Sequence, residues 1–321
     1  MSDLKLQKVT LGPDWIDLSY GEPVVVTNSL FKNLNRVGDP ISMPSFMDLF
    51  KWPYQPAAGK VDLVSLLEKK YGCKVVVANG GKHALAAAIY AFKKAGCNSI
   101  YYDVPYYPAN PSIADSLSLE VKSLDQADCK LITSPNNPDG NNLSNSELIA
   151  HLGSKPMIHD AAYYTEIYLP DNQKPVAAGD IQVYSASKMY GLSGIRIGYA
   201  LIHNEKYYQD AVDYIEMTTA GVSTASQDIM RNIESYFISN PQVYQSFIND
   251  SKNQLMKSRK ILSQLDPEVM TLIPSTSNSM FGWFKVGPKL DNDAAKVYIL
   301  PGELFGYPGF MRMNIAQPES K

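Results

Sequence analysis

Between residues 72 and 202 the chain alternates short runs of β-branched and aromatic residues with longer stretches whose apolar positions recur every three or four residues. This rhythm predicts an α/β sheet. Strands are expected near Lys74–Ala78, Ser99–Val104, Lys130–Thr133, Met157–Asp160, Ile181–Tyr184 and Ile195–Ile202, each followed by a loop of polar or special residues. The clearest helix runs from Lys82 to Ala95: Leu85, Ala88, Ile89 and Phe92 share one face, and Gly96 supplies a stop. A second helix opens at Ser144, whose spacing to Glu147 fits a capping box, and closes by Gly153. Lys206–Thr219, Thr224–Ser239 and Pro241–Leu265 read as further helices, the last long enough to connect two domains. Ser279–Val286 and Phe310–Ile315 read as late strands.

Composition then narrows the class. With 321 residues, 45% hydrophobic and 19% charged, the chain can bury a sizeable core, as two domains or one large one. Lys plus Arg number 29 against 32 Asp plus Glu, and no block of like charge occurs, which argues against nucleic acid or an acidic membrane surface as the main partner. The start is polar and the longest near-apolar stretch, Ala84–Phe92, is about half a membrane span, so a soluble cytoplasmic protein is expected. Cys73, Cys97 and Cys129 follow no CxxC pattern and read as reduced thiols. The four histidines show no ligand spacing, so no metal is expected. Only five arginines are present, at 36, 196, 231, 259 and 312, and each is worth weighing as an anion binder.

In a mostly parallel α/β sheet, ligands bind outside the carboxyl ends of the strands. After the first strand comes Asn79-Gly80-Gly81-Lys82, opening directly into a helix whose free N–H groups and dipole favour a phosphate. A Walker P-loop would need Gly at 76 and Ser or Thr at 83, where the chain has Val76 and His83. After the second strand, Pro105-Tyr106-Tyr107-Pro108 presents an aromatic plate. After the third, Ser134-Pro135-Asn136-Asn137-Pro138-Asp139-Gly140 frames an amide in a turn. The fourth delivers Asp160 and Tyr163, the fifth Ser185-Ala186-Ser187-Lys188. An anion cradle, an aromatic plate, an amide, a carboxylate, a phenol and an amine together suit an aromatic, phosphorylated, aldehyde-bearing cofactor.

Residues 185–200, SASKMYGLSGIRIGYA, resemble the Lys-containing signature of fold type I pyridoxal-phosphate enzymes of the aminotransferase class I/II superfamily. Further motifs agree in order: Tyr54 followed by Gly59 and Leu63; Gly80-Gly81-Lys82-His83-Ala84-Leu85 at the phosphate turn; SPNNPDG; His159-Asp160-Ala161-Ala162-Tyr163; Pro301-Gly302 with Phe305-Gly306; and Phe310-Met311-Arg312. The likeness runs from about Gly21 to Ala316. It implies a three-layer α/β/α large domain with a mostly parallel sheet over residues 45–225, and a small, shortened α+β domain from residues 1–44 and 226–321, joined by the long helix 241–265.

The resemblance also implies roles. Lys188 would hold pyridoxal 5′-phosphate as an aldimine and serve as base and acid at the substrate α-carbon; Asp160 would pair with the ring nitrogen; Asn137 and Tyr163 would hydrogen-bond the phenolic oxygen; and Tyr107 would stack on the ring. Gly80, Gly81, Lys82, Ser185 and Arg196 would bind the phosphate, Arg312 would clamp the substrate carboxylate, and Gly21 would line the substrate end together with Asn137. Tyr54 would reach the phosphate of a neighbouring subunit, implying a homodimer with shared sites. Arg36 is a lesser candidate for an acidic substrate side chain.

Two features depart from the family pattern. Lys82 and His83 stand where a small hydroxyl residue and a polar or acidic one are usual, and the small domain looks pared down. The implied activity is an aminotransferase moving an amino group between an α-amino acid and a 2-oxo acid. The alternatives are a pyridoxal-phosphate lyase, of the carbon–sulfur type, or a decarboxylase, and more remotely a catalytically idle relative.

Overall fold

A computed structural model of the chain describes residues 12–35, 54–153 and 155–317. Arg36 and the expected domain boundary at residues 44 and 45 lie outside the described residues. A two-residue strand, β1 (Ile16–Asp17), comes first. The main sheet then follows: β2 (Lys74–Ala78), β3 (Ser99–Tyr102), β4 (Glu120–Val121), β5 (Cys129–Thr133), β6 (Met157–Asp160), β7 (Ile181–Ser185) and β8 (Gly198–Ile202). Their spatial order is β2-β8-β7-β6-β5-β3-β4. β8 runs antiparallel to both neighbours and the other pairings are parallel. The fold is thus α/β with a large, mostly parallel sheet. Runs such as Val75-Val76-Val77-Ala78 are continuous rather than alternating because these strands are buried on both faces.

Helices cover the sheet. Helix Gly81–Lys94 packs on β7 and β8 and against helix Tyr208–Thr219, burying Leu85, Ala88, Ile89 and Phe92 as its periodicity predicts and, beyond that face, Ala84, Ala86, Ala87 and Ala91, because it is covered on more than one side. Helix Val61–Tyr71 lies against β2 and helix Thr224–Ser239. The expected capping box is present at helix Asn145–Ala150: Ser144 Oγ accepts from Glu147 N at 3.3 Å, and Glu147 Oε2 accepts from Ser144 N at 2.8 Å. The long helix Pro241–Leu262 carries helix Val24–Asn35 across it, with Val25, Val26, Leu30 and Leu34 buried at the contact.

The rest of the chain forms β9 (Met270–Leu272), β10 (Phe281–Val286), β11 (Val297–Tyr298), β12 (Leu300–Pro301) and β13 (Phe310–Asn314). An antiparallel sheet in the order β12-β13-β10-β9 has its own two apolar clusters, one around Met270, Phe284, Ile299, Met313 and Ile315, the other around Trp283, Leu300 and Phe305. Neighbours Trp283 and Phe284 fall in different clusters because successive side chains of a strand face opposite ways. β1 pairs in parallel with β11.

Several expected boundaries shift: the strand expected over Ser99–Val104 ends at Tyr102, and that expected over Ser279–Val286 begins at Phe281. The strand expected from Ile195 begins at Gly198, because Ser193–Ile195 is a 3-10 turn and Arg196 is left-handed at φ 52°. The helix expected from Lys206 starts at Tyr208 behind a 3-10 turn, and the connector stops at Leu262. Among the described residues, no helix is long and apolar enough to cross a membrane.

Candidate active site

Thr133, Asp160 and Ser185, the last residues of β5, β6 and β7, open into a cavity of about 550 Å3. Gly21, Gly81, Lys82, Tyr107, Asn137, Asp160, Tyr163, Ser185, Lys188 and Arg312 all line it, so ten of the expected residues converge from seven separate segments. Gly80 and Arg196 stand just behind the wall. Tyr54 does not line the cavity and is 91% exposed.

Gly80, at φ 87°, is the N-cap of helix Gly81–Lys94. Any Cβ here would collide: on Gly80 it would lie 2.5 Å from Arg196 Nη2, and on Gly81 2.8 Å from Ser185 Cβ. The two glycines therefore let a helix N-terminus, a hydroxyl and a guanidinium close on one point. That set is suited to a phosphate. Arg196 is held by a bond from its Nη1 to Ser193 O at 2.8 Å. Lys82 stands at the rim with its Nζ 5.9 Å from the centre of the Tyr107 ring. His83 turns away: its Nδ1 accepts from Asn79 N at 3.2 Å and its Nε2 meets Thr218 Oγ1 at 2.8 Å.

Lys188 lies in a single helical turn, Ala186–Met189, directly after β7, and Tyr168 donates to its carbonyl at 3.0 Å. Its Nζ donates to Gly21 O. Burial first, then the positive charge of Arg312, push the amine down to about 8, while Glu22 acts in the opposite direction. Asp160 is buried, and among the described residues only a backbone group, Ala162 N at 3.1 Å, donates to its carboxylate. Burial pushes its carboxyl up to about 6. A buried carboxylate with so little compensation fits a protonated ring nitrogen. Tyr163 packs edge-on to Tyr168 and Phe281, and burial holds its phenol well above the ordinary range. The same cause pushes Tyr107 up to about 12.

Arg312 comes from β13 and is buried between Phe281, 4.2 Å from the guanidinium carbon, and Phe305, at 5.1 Å. Its Nη1 donates to Asn137 Oδ1 at 3.1 Å and its Nη2 to Ser19 O, while Nε has no partner among the described residues. Burial lowers it to about 10. The guanidinium thus sits in the cavity wall with a spare donor, ready for a carboxylate.

The cavity also takes residues that motif reading does not single out: Asp17, Ser19, Tyr20 and Glu22 from the N-terminal segment, Phe281 from β10, and Tyr298 and Leu300 from β11 and β12. Ser19, Tyr20 and Glu22 flank Gly21, and that adjacency was a usable signal. Tyr298 and Leu300 carry none.

The family model for allinase matches residues 67–265, more than half of the chain. The chain belongs to the allinase family. This allinase-family chain is also similar to tryptophan aminotransferase-related protein 2 of Arabidopsis thaliana, 34% identical over 165 residues, which are 48% of the chain and 36% of that protein. It matches tryptophan aminotransferase-related protein 3 of Arabidopsis thaliana at 26% over 292 residues, 76% of the chain and 61% of that protein. Alliin lyase of Allium cepa var. aggregatum is 35% identical over 127 residues, 40% of the chain and 26% of that protein. The chain thus spans less than two thirds of each of these relatives. Among solved structures, an aspartate aminotransferase double mutant from Thermus thermophilus superposes with a TM-score of 0.75 at 18% identity, over 95% of this chain and 88% of that one. This allinase-family chain is a member of the fold type I, aminotransferase-like superfamily, whose cofactor is pyridoxal 5′-phosphate. The two-glycine cradle, the buried Asp160, the Tyr107 plate and the Lys188 amine fit that group.

Proposed function

We propose that the protein is a pyridoxal-phosphate-dependent aminotransferase acting on an α-amino acid and a 2-oxo acid. The observation that carries this reading is the placing of the Lys188 amine, lowered to about 8, on one cavity wall with the buried Arg312 guanidinium and the Asp160 carboxylate. Gly80, Gly81, Ser185 and Arg196 would hold the phosphate, with Lys82 adding charge at the rim; Asp160 would hold the ring nitrogen, Tyr107 the ring face, and Asn137 and Tyr163 the phenolic oxygen. When bound, the cofactor supplies an electron sink beside the substrate α-carbon. Arg312 binds the substrate carboxylate and so orients the bonds at that carbon. Lys188 Nζ takes the proton from the α-carbon and delivers it again; an amine near 8 is a base of useful strength at neutral pH. Buried tyrosine rings and Phe281 exclude water from that transfer.

A second reading, a carbon–sulfur lyase, is favoured by the allinase family match and by the alliin lyase relatives. It uses the same residues and differs in what leaves the β-carbon. The test is to add amino acids singly to cofactor-loaded protein and follow the cofactor absorbance. Conversion to the amino form, reversed by a 2-oxo acid, supports transamination. Release of ammonia and pyruvate without that conversion supports the lyase instead. Lys188→Ala should abolish either reaction and the lysine-bound cofactor band. The exposed Tyr54 supports a homodimer in which it reaches the partner's phosphate, and a fully active monomer by sedimentation would refute that.

A further inference from the structure

We propose that Asp17 makes the cavity selective for α-amino acids whose side chain ends in a hydrogen-bond donor: an N–H, an O–H or an ammonium group. This deepens, and rests on, the amino-acid-converting function above. β1 and β11 pair in parallel with Asp17 directly opposite Tyr298, and both side chains line the cavity. Ser19 donates to Asp17 Oδ1 twice, from its N at 2.9 Å and its Oγ at 2.6 Å. The carboxylate is thereby fixed, and among the described residues no group donates to Oδ2.

The same Ser19 offers its carbonyl to Arg312 Nη2. Asp17 is thus tied through one serine to the guanidinium that takes the substrate carboxylate. Gly21, two residues further on, accepts from Lys188 Nζ, so the segment from Asp17 to Glu22 lies against the reacting amine. A substrate side chain leaving the α-carbon meets Asp17, Tyr20, Phe281, Tyr298 and Leu300. Apart from the Asp17 carboxylate and the tyrosine hydroxyls these side chains are aromatic or aliphatic; the segment's other lining carboxylate, Glu22, accepts from Ser193 Oγ at 2.9 Å and acts on the Lys188 amine.

A carboxylate in such a wall decides between substrates. An occupying side chain strips water from Asp17, and only a donor replaces what is lost. An apolar end leaves the charge unpaired, and an acceptor-only end, such as a sulfoxide or a carboxylate, faces repulsion. Discrimination by missing donors can be very large in fully closed sites. Asp17 is half-buried, so a factor of about ten to a hundred is expected here.

The experiment uses cofactor-loaded protein and pairs of similar shape: L-tyrosine with L-phenylalanine, L-lysine with L-norleucine, and L-alanine, which is too short to reach the wall. For each, kcat/KM of product formation and the binding constant from the cofactor's spectral shift are measured. The wild type should favour the donor-bearing member of each pair by about tenfold or more in both measures. Asp17→Leu should bring both ratios close to one and Asp17→Asn should reduce them partly, with any loss transmitted through Ser19 to Arg312 shared by both members of a pair and read on L-alanine. Ratios are insensitive to the fraction of variant that folds. Unchanged ratios in Asp17→Leu, or a wild type that favours phenylalanine and norleucine, would overturn the proposal. If amino acids bind with the expected ratios but none is converted, the catalytic reading fails and the assignment of Asp17 stands. If no amino acid perturbs the cofactor spectrum, both fall.

Discussion

Replacing Asp160 by Asn should move two properties in opposite directions. Asp160 ends β6 in a buried position where Ala162 N, at 3.1 Å, donates to its carboxylate, and burial lifts its carboxyl from 3.8 to about 6. At about 1.4 kcal/mol per pH unit, that rise represents about 3 kcal/mol spent in holding the charge inside the cofactor-free protein at neutral pH. The folded value lies above the unfolded one, so the native chain keeps its proton where the unfolded chain has lost it. This part of the stability is therefore present below 3.8, falls as pH rises towards about 6, and stays absent above. Asn carries no charge, so at pH 7.5 the cofactor-free variant should be more stable by about 1–3 kcal/mol and melt a few degrees higher. With cofactor the sign reverses. Losing one partner of a buried charge pair costs about 2–5 kcal/mol, which weakens cofactor binding by roughly 30-fold or more. Calorimetry with and without pyridoxal phosphate across pH 5–8, together with a fluorescence titration of the cofactor, reads both effects. A cofactor-free variant that melts lower than wild type, or one that binds the cofactor equally well, would refute the reasoning.

Gly81→Ala places a Cβ 2.8 Å from Ser185 Cβ and 3.2 Å from its Oγ, inside the anion cradle. Overpacking of this kind costs about 1–3 kcal/mol, so cofactor affinity should drop roughly 5- to 150-fold by equilibrium dialysis, while pyridoxal lacking the phosphate loses much less. Glu22→Gln removes the charge that holds the Lys188 amine up against burial and Arg312. The base form is the neutral amine, so turnover should rise with pH towards about 8 in the wild type. In the variant that rise should come at lower pH, and the difference should shrink in high salt because Glu22 is exposed. A rise at unchanged pH would detach Glu22 from the base.

The cofactor side of the molecule is legible from the chain because Asp160 and Ser185 end strands, Gly81 and Lys82 open a helix, and the loops holding Tyr107 and Asn137 follow strand ends within a few residues. β2 and β6 and helix Thr224–Ser239 fall where the residue pattern puts them, since both their periodicity and their flanking residues point one way. Helix Val24–Asn35 is not legible. It opens with three valines, a strand-like start, and is helical because Val25, Val26, Leu30 and Leu34 are buried where it packs on helix Pro241–Leu262. Helix Ala109–Ser116 hides behind Pro105, Pro108 and Pro111, a cluster that reads as loop, although Pro111 sits in a first turn, where its missing N–H costs nothing.

The substrate side of the cavity is illegible for a different reason. Asp17 and Tyr298 meet through strands of two residues each, too short for any period to register. What fixes them is a pair of backbone bonds between segments from opposite ends of the described chain, Ile16 N to Lys296 O and Leu18 N to Tyr298 O, both 2.9 Å. The cradle residues are set by strand ends within one sheet, so their motifs survive as contiguous words. The residues facing the substrate are set by a tertiary register, and sliding that register by one residue would exchange Asp17 for Ile16 or Leu18 at the wall. One fold can therefore keep its cofactor chemistry constant while the nature of the accepted side chain changes with a single step of β1 against β11.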